Sequence, residues 1–191
     1  MSDKFQMRFT GSGGQGVILA SVIFAEAAVV KGLHAVQSQA YGPEARGGSS
    51  KAECILSRSE IWFSKVIRPD FLLALTQGAL DKYAPELADG AVVMIDESLC
   101  APDCLDPARV VSVPILRSAK EVVGKAITAN IVAVGAINEL FGLFDEDVLH
   151  EAVSRHIPKG TEELNFHALS VGRNLIGAEL RDKYLEERIA E

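Results

Sequence analysis

The sequence predicts an α/β fold with a mostly parallel sheet, a glycine-rich turn after strand one, and a helical C-terminal portion packed on the sheet. Three observations carry this. At the N-terminus a strand pattern runs through a glycine loop into a helix; apolar runs of strand length then alternate with helical stretches; from Ser118 onward only helical patterns appear.

Phe5, Met7 and Phe9 alternate with Gln6, Arg8 and Thr10, the period of two expected of a strand with one polar face. The loop Gly11-Ser12-Gly13-Gly14-Gln15-Gly16 follows, and then an apolar run from Val17 to Val30 broken only by Ser21 and Glu26. That run is short of the roughly 18 residues a membrane span requires, so it reads as a buried helix, with Gly32 placed for a left-handed cap. His34 to Ala40 reads as a second strand. Glycine and proline make Tyr41 to Gly48 a loop, long for a mere connection. Ala52 to Leu56 reads as a third strand, with a hairpin return expected around Ile61-Trp62-Phe63.

Pro69-Asp70 introduces Phe71 to Leu75, and Gly90 introduces Ala91 to Asp96. Both are continuous apolar runs, the pattern of strands buried on two faces. Gln77 to Ala88 between them reads as helical despite Pro85, and Arg109 to Val113 as a further strand ending at Pro114. In the last third, Ile127 to Phe144 is apolar nearly all round. Asp145 is placed to cap a helix that carries Val148, Leu149, Ala152 and Val153 on one face and ends before Pro158. Thr161 is placed to cap a long helical region that thins into the charged tail from Glu179 to Glu191.

A chain of 191 residues with no internal repeat and no linker is expected to form one domain, residues 1–191, and to bury roughly 70% of its unfolded surface. With 48% apolar and 24% charged residues and a mean hydropathy of +0.17, disorder is excluded and some apolar surface is expected to face a partner. The net charge of −7 opposes a basic face for nucleic acid, which is not an expected ligand. Cys54, Cys100 and Cys104 are too few and odd in number for a disulfide framework. Met1-Ser2-Asp3-Lys4 does not open a signal peptide, so the expected setting is cytoplasmic and reduced.

Gly11-x-Gly13-x-x-Gly16 between a strand and a helix suits either an anion held by backbone N–H groups at the helix start or a purely structural tight turn. A nicotinamide site calls for an acid at the end of the second strand, and His34 to Gln39 contains none. A P-loop fails because no Gly-Lys-Ser/Thr follows the turn. In the second loop, Arg46 stands between small residues, free either to present its guanidinium to a carboxylate or phosphate or to pair with Glu44. The cysteines lack the clustering that a zinc or iron–sulfur site requires, and His34, His150, His156 and His167 are scattered. Asp96, at the end of an apolar strand, reads equally as a ligand contact or as a cap for the segment that follows.

Taken together, Gly11-Ser12-Gly13-Gly14-Gln15-Gly16-Val17 and Tyr41-Gly42-Pro43-Glu44-Ala45-Arg46-Gly47-Gly48 make the chain resemble the gamma subunit, or gamma domain, of the 2-oxoacid:ferredoxin oxidoreductases. Thr128-Ala129-Asn130 and Pro158 to Asn165 extend the likeness over most of the chain. The wording from Glu44 to Glu53 is nearest the 2-oxoglutarate-using branch. The resemblance implies a Rossmann-like fold and a complex that converts a 2-oxoacid and coenzyme A (CoA) into acyl-CoA and carbon dioxide while reducing ferredoxin or a similar acceptor. It implies alpha, beta and ferredoxin-like delta subunits as partners, with thiamine diphosphate and iron–sulfur clusters held on them and no cofactor held by this chain alone.

Carried onto this sequence, Gly11, Ser12, Gly13, Gly14, Gln15 and Gly16 become the CoA phosphate loop. Tyr41, Gly42, Pro43, Glu44, Arg46, Gly47 and Gly48 become the loop nearest the partner's active site. No catalytic residue and no metal ligand is expected, and a homodimer in isolation is left open. A stand-alone dinucleotide-dependent reductase and a ligand-free structural adaptor remain the alternatives. Gln6, Arg8 and Thr10 on one side of a central strand, and the all-round apolar helices at 17–30 and 127–144, lead to the expectation that another subunit or a ligand covers them.

Overall fold

The N-terminal strand lies inside the sheet, and everything that positions the glycine loop follows from that. The computed structural model describes residues 4–41 and 49–190. Its elements are β1 (Lys4–Ser12), α1 (Val17–Val30), β2 (His34–Tyr41), β3 (Ser49–Ser57), β4 (Phe71–Ala74), α2 (Gln77–Tyr83), β5 (Val92–Asp96) and β6 (Val110–Val113), then α3 (Ile115–Glu121), α4 (Ala129–Phe141), α5 (Glu146–Ser154), α6 (Glu162–Asn174) and α7 (Ala178–Ala190). The strand order is β2-β3-β1-β4-β5-β6. β1, β4, β5 and β6 pair in parallel, while β3 runs antiparallel to both β1 and β2, so β3 alone opposes the common direction.

The sheet is covered on both faces. Met7, Phe9, Phe71, Leu73 and Met94 meet α1 and α4 on one side, where Phe9 stacks on Phe24 at 5.7 Å and Phe71 meets Phe141 edge-on at 5.4 Å. Each such aromatic contributes about 1.5–3 kcal/mol by leaving water. On the other side Leu72, Ala74, Val93 and Ile95 meet Ala79, Leu80 and Tyr83 of α2. The polar interruptions of α1 are both answered by neighbours: Ser21 Oγ accepts from Gln37 Nε2 at 3.1 Å, and Glu26 pairs with Arg155 and His156 just past α5. α1 ends as its sequence implies, with Gly32 at φ +77° and the Leu33 N–H returning to Ala28 O.

Several expectations are corrected. Ile61-Trp62-Phe63 forms no strand, because both edges of β3 are already taken by β2 and β1 and a return strand has nothing to pair with. The polar side of β1 is covered by the chain itself: Arg8, 2% exposed, donates to Glu53 at 2.8 Å and to Glu86, and Thr10 Oγ1 donates to Leu73 O at 2.8 Å. The apolar helix near 127–144 is likewise enclosed. It begins at Ala129, is stopped by Gly142 in the left-handed conformation, and lies almost wholly buried between the sheet and α3, α6 and α7. A Cβ at Gly135 would fall 2.2 Å from Leu169 O and one at Gly172 1.9 Å from Val132 O, so these two glycines set how closely α4 and α6 cross.

The stretch Gln77 to Ala88 is helical only to Tyr83 and tightens into a 3-10 turn at Ala84–Glu86, where Pro85 supplies no N–H. The helical region after Thr161 breaks at 175–177 into α6 and α7. Asp145 and Thr161 stand at N-cap positions without capping through their side chains: Asp145 pairs with Lys31, and Thr161 Oγ1 donates to Pro158 O.

Candidate functional site

In an open α/β sheet, ligands dock beyond the carboxyl ends of the strands at the point where successive connections diverge to opposite faces. Here that point lies between β1 and β4. From β1 the chain passes through α1 on one face towards β2; from β4 it passes through α2 on the other face to β5. The glycine loop sits at this divergence.

Its shape is set from within. Gln15 N–H donates to Ser12 O at 3.2 Å, closing a turn, while the Gln15 side chain folds back so that Oε1 accepts the Ser12 N–H at 2.7 Å and Nε2 donates to Leu75 O at 3.3 Å. One side chain thus ties the loop to the end of β4. Gly11 is required for this, since a Cβ there would lie 2.5 Å from Gln15 Oε1. Gly13 and Gly14 stand exposed at the tip, and Gly14 has φ +94° with nothing within 4 Å of where a Cβ would be. Gly16, the N-cap of α1, has φ +70°, and no side chain caps the helix. The first turn of α1 carries no acidic residue, so its positive end is left uncompensated.

A second helix start arrives at the same place. Asn130, the second residue of α4, is 4% exposed and lies against Gly16: a Cβ on Gly16 would meet Asn130 Nδ2 at 2.6 Å. Thr128, the N-cap of α4, gives no side-chain cap, and its first turn also lacks an acid. Among the described residues the Asn130 amide has no hydrogen-bond partner. Two uncapped helix starts and an unengaged carboxamide therefore converge on one glycine loop, an arrangement suited to an anion with several oxygens.

Sequence reasoning found the loop and missed Asn130, although the run Thr128-Ala129-Asn130 had been noticed. The only local signal was an amide at the start of an otherwise apolar helix.

The second predicted loop is hung from the same end of the sheet. Tyr41 closes β2 opposite Ser50, which in turn pairs with Gly11; Ser49 opens β3 directly opposite Ser12. Gly42, Pro43, Glu44, Arg46, Gly47 and Gly48 lie outside the described residues. The insertion of β3 also separates β2 from β1 by about 9.6 Å, two strand spacings. An acid at the end of β2 would therefore not stand where a nicotinamide ribose needs it.

Other candidates resolve into structural roles. Asp96, 2% exposed, accepts from Ser98 N–H at 3.1 Å, Ser98 Oγ at 2.6 Å and Leu116 N–H at 2.8 Å, and so starts α3. Burial pushes the Cys54 thiol up to about 12, while Cys100 and Cys104 are exposed. His150 stacks on Phe166 at 4.1 Å. Among the described residues no three His, Cys, Asp or Glu side chains gather as metal ligands.

Residues 6–175 match the pyruvate ferredoxin/flavodoxin oxidoreductase (POR) family. The chain belongs to this family. Among its members, the 2-oxoglutarate synthase subunit KorC of Methanocaldococcus jannaschii is 44% identical over 170 residues, covering 87% of this chain and 91% of that one. The gamma subunit of a keto/oxoacid ferredoxin oxidoreductase from Geobacter sulfurreducens has been solved. It superposes with a TM-score of 0.78 at 42% identity, covering 90% of this chain and 95% of the other.

The ketoisovalerate oxidoreductase subunit VorA of Methanothermobacter thermautotrophicus is 37% identical over 152 residues, which are 78% of this chain and 31% of VorA. The POR fold thus occurs both as a chain of this size and as under a third of a longer one.

Proposed function

We propose that this chain is the gamma subunit of a 2-oxoglutarate:ferredoxin oxidoreductase and that its glycine loop holds the diphosphate of CoA. The complex converts 2-oxoglutarate, CoA and an oxidised acceptor into succinyl-CoA, carbon dioxide and the reduced acceptor. The observation that carries the assignment of the loop is the meeting of Gly16 and Asn130, where two helix starts leave their positive ends uncompensated beside an unengaged amide. The choice of 2-oxoglutarate is supported by the 44% identity to a 2-oxoglutarate synthase subunit.

In this reading backbone N–H groups at Gly13, Gly14 and Gly16 donate to phosphate oxygens, and Asn130 Nδ2 adds a side-chain donor. Each helix start contributes about 0.3–1 kcal/mol of attraction to the anion. Gln15 does not touch the ligand; it keeps the Ser12 N–H turned inward and the tip of the loop fixed against β4.

The cysteines do not fit an iron–sulfur cluster, with Cys54 held as a buried thiol and Cys100 and Cys104 standing alone at the surface. We therefore assign the clusters and thiamine diphosphate to alpha, beta and ferredoxin-like delta subunits. Tyr41, Glu44 and Arg46 face the partner's active site, a role consistent with the register that starts and ends their segment beside Gly11 and Ser12. Among the described residues no helix is long and apolar enough to cross a membrane, and we place the complex in the cytoplasm.

The test is reconstitution. With the other subunits present, adding this chain is expected to restore reduction of ferredoxin dependent on both 2-oxoglutarate and CoA, and Arg46→Ala to lower turnover without unfolding the chain. Turnover of the chain alone with a nicotinamide would contradict the proposal, as would full CoA-dependent activity without the chain.

A further inference from the structure

The only tryptophan of the chain, Trp62, is 88% exposed, and Phe63 and Ile67 beside it are 55% and 67% exposed. Large apolar side chains this open usually belong to loose loops, but this segment is anchored. Val66 between them is 6% exposed, and its carbonyl accepts from the buried Arg8 Nη2 at 3.4 Å. Further along, Arg68 Nε donates to Leu87 O at 3.1 Å, and the Gln6 and Asp70 backbones exchange hydrogen bonds at 2.8 Å.

Arg8 is itself locked by Glu53 and Glu86, with its guanidinium 5.1 Å from the centre of the Tyr83 ring. The buried arginine therefore holds Val66 inward and leaves Trp62, Phe63 and Ile67 displayed on fixed backbone. A side chain presented in a preset position binds without a large ordering penalty, and aromatic anchors of this kind dominate protein interfaces.

We propose that Trp62, Phe63 and Ile67 form the docking surface for another subunit of the same oxidoreductase; this rests on the functional reading above. The occupant is argued from two observations. In VorA the matching 152 residues are 31% of one longer chain, so the fold there is covalently joined to further polypeptide. A free-standing version of the fold must hold such a neighbour through a surface. The surroundings of the patch are also basic, with Arg58 and Lys65 exposed at its edge against Glu60, in a chain whose net charge is −7. The partner's matching surface is accordingly an apolar cleft that accepts an indole and is rimmed by carboxylates.

Because Trp62 is the only tryptophan, 5-fluorotryptophan incorporated into the chain reports this position alone. The fluorine resonance is expected to shift on adding the remaining subunits. Trp62→Asp and Ile67→Asp are expected to weaken assembly at least about tenfold, with the melting temperature of the isolated chain unchanged. A resonance that stays put in the assembled complex overturns the proposal, as do variants that assemble like the wild type. A dimer of the isolated chain that these variants abolish would instead make a second copy the occupant and overturn it too. A wild-type chain that binds none of the subunits contradicts the functional reading and this surface together, whereas normal assembly of wild type and variants alike contradicts the surface alone.

Discussion

Asn130 occupies the space beside Gly16 that any side chain at that position would need, with Nδ2 2.6 Å from where a Cβ would stand. The two residues are far apart in sequence, yet their contact brings the starts of α1 and α4 together. Gly16→Ala forces a left-handed conformation on alanine and pushes Asn130 aside, so a loss of about 1–3 kcal/mol is expected in denaturant unfolding. Asn130→Ala is expected to leave stability nearly unchanged, since the amide has no partner to lose among the described residues. In the assembled enzyme it raises the KM for CoA by roughly three- to tenfold, the worth of one hydrogen bond. An unchanged KM would remove Asn130 from the site.

Gln15→Glu tests the tie to β4. A carboxylate keeps the acceptor for the Ser12 N–H but cannot donate to Leu75 O and adds a negative charge beside the anion loop. The expected result is a KM for CoA at least about tenfold higher with the KM for the oxoacid unchanged. Gln15→Ala leaves both backbone groups to water and lowers stability by about 1–2 kcal/mol with a smaller effect on KM. Equal effects of the two substitutions on KM would mean that charge at this place does not matter.

Glu26 gives a pH prediction. The hydrogen bond from Arg155, with a further one to His156, holds its carboxyl below the model value of 4.5 against the opposing effect of burial. Its folded pKa is below its unfolded one, so its contribution to stability is present above about pH 4.5 and is lost as the pH falls through the folded value. Glu26→Gln is therefore expected to melt lower than wild type at neutral pH and to converge with it in acid. A difference in Tm that persists at pH 3 would contradict this origin.

What could be read from residues alone was local. The glycine loop and α1 were legible because glycine spacing and an apolar run bounded by Gly16 and Gly32 are properties of one segment. The reversed direction of β3 was not, since alternation along a strand carries no sign of its orientation. Ile61-Trp62-Phe63 was misread because three apolar residues look like a strand until the sheet order shows that β3 has no open edge. Arg8 and Thr10 suggested a missing partner because Glu53, Glu86 and Leu73, which satisfy them, are brought there only by folding. Asn130 escaped notice for the same reason.

Gly14 allows the most direct measurement of whether the loop holds the CoA diphosphate. Its φ of +94° strains any replacement alike, and nothing lies within 4 Å of a new Cβ, so Gly14→Ala and Gly14→Asp differ chiefly in charge. In the assembled complex the KM for CoA is expected to be at least about tenfold higher for Gly14→Asp than for Gly14→Ala, with the KM for 2-oxoglutarate equal in the two. The same CoA dependence in both variants would contradict a phosphate at this loop.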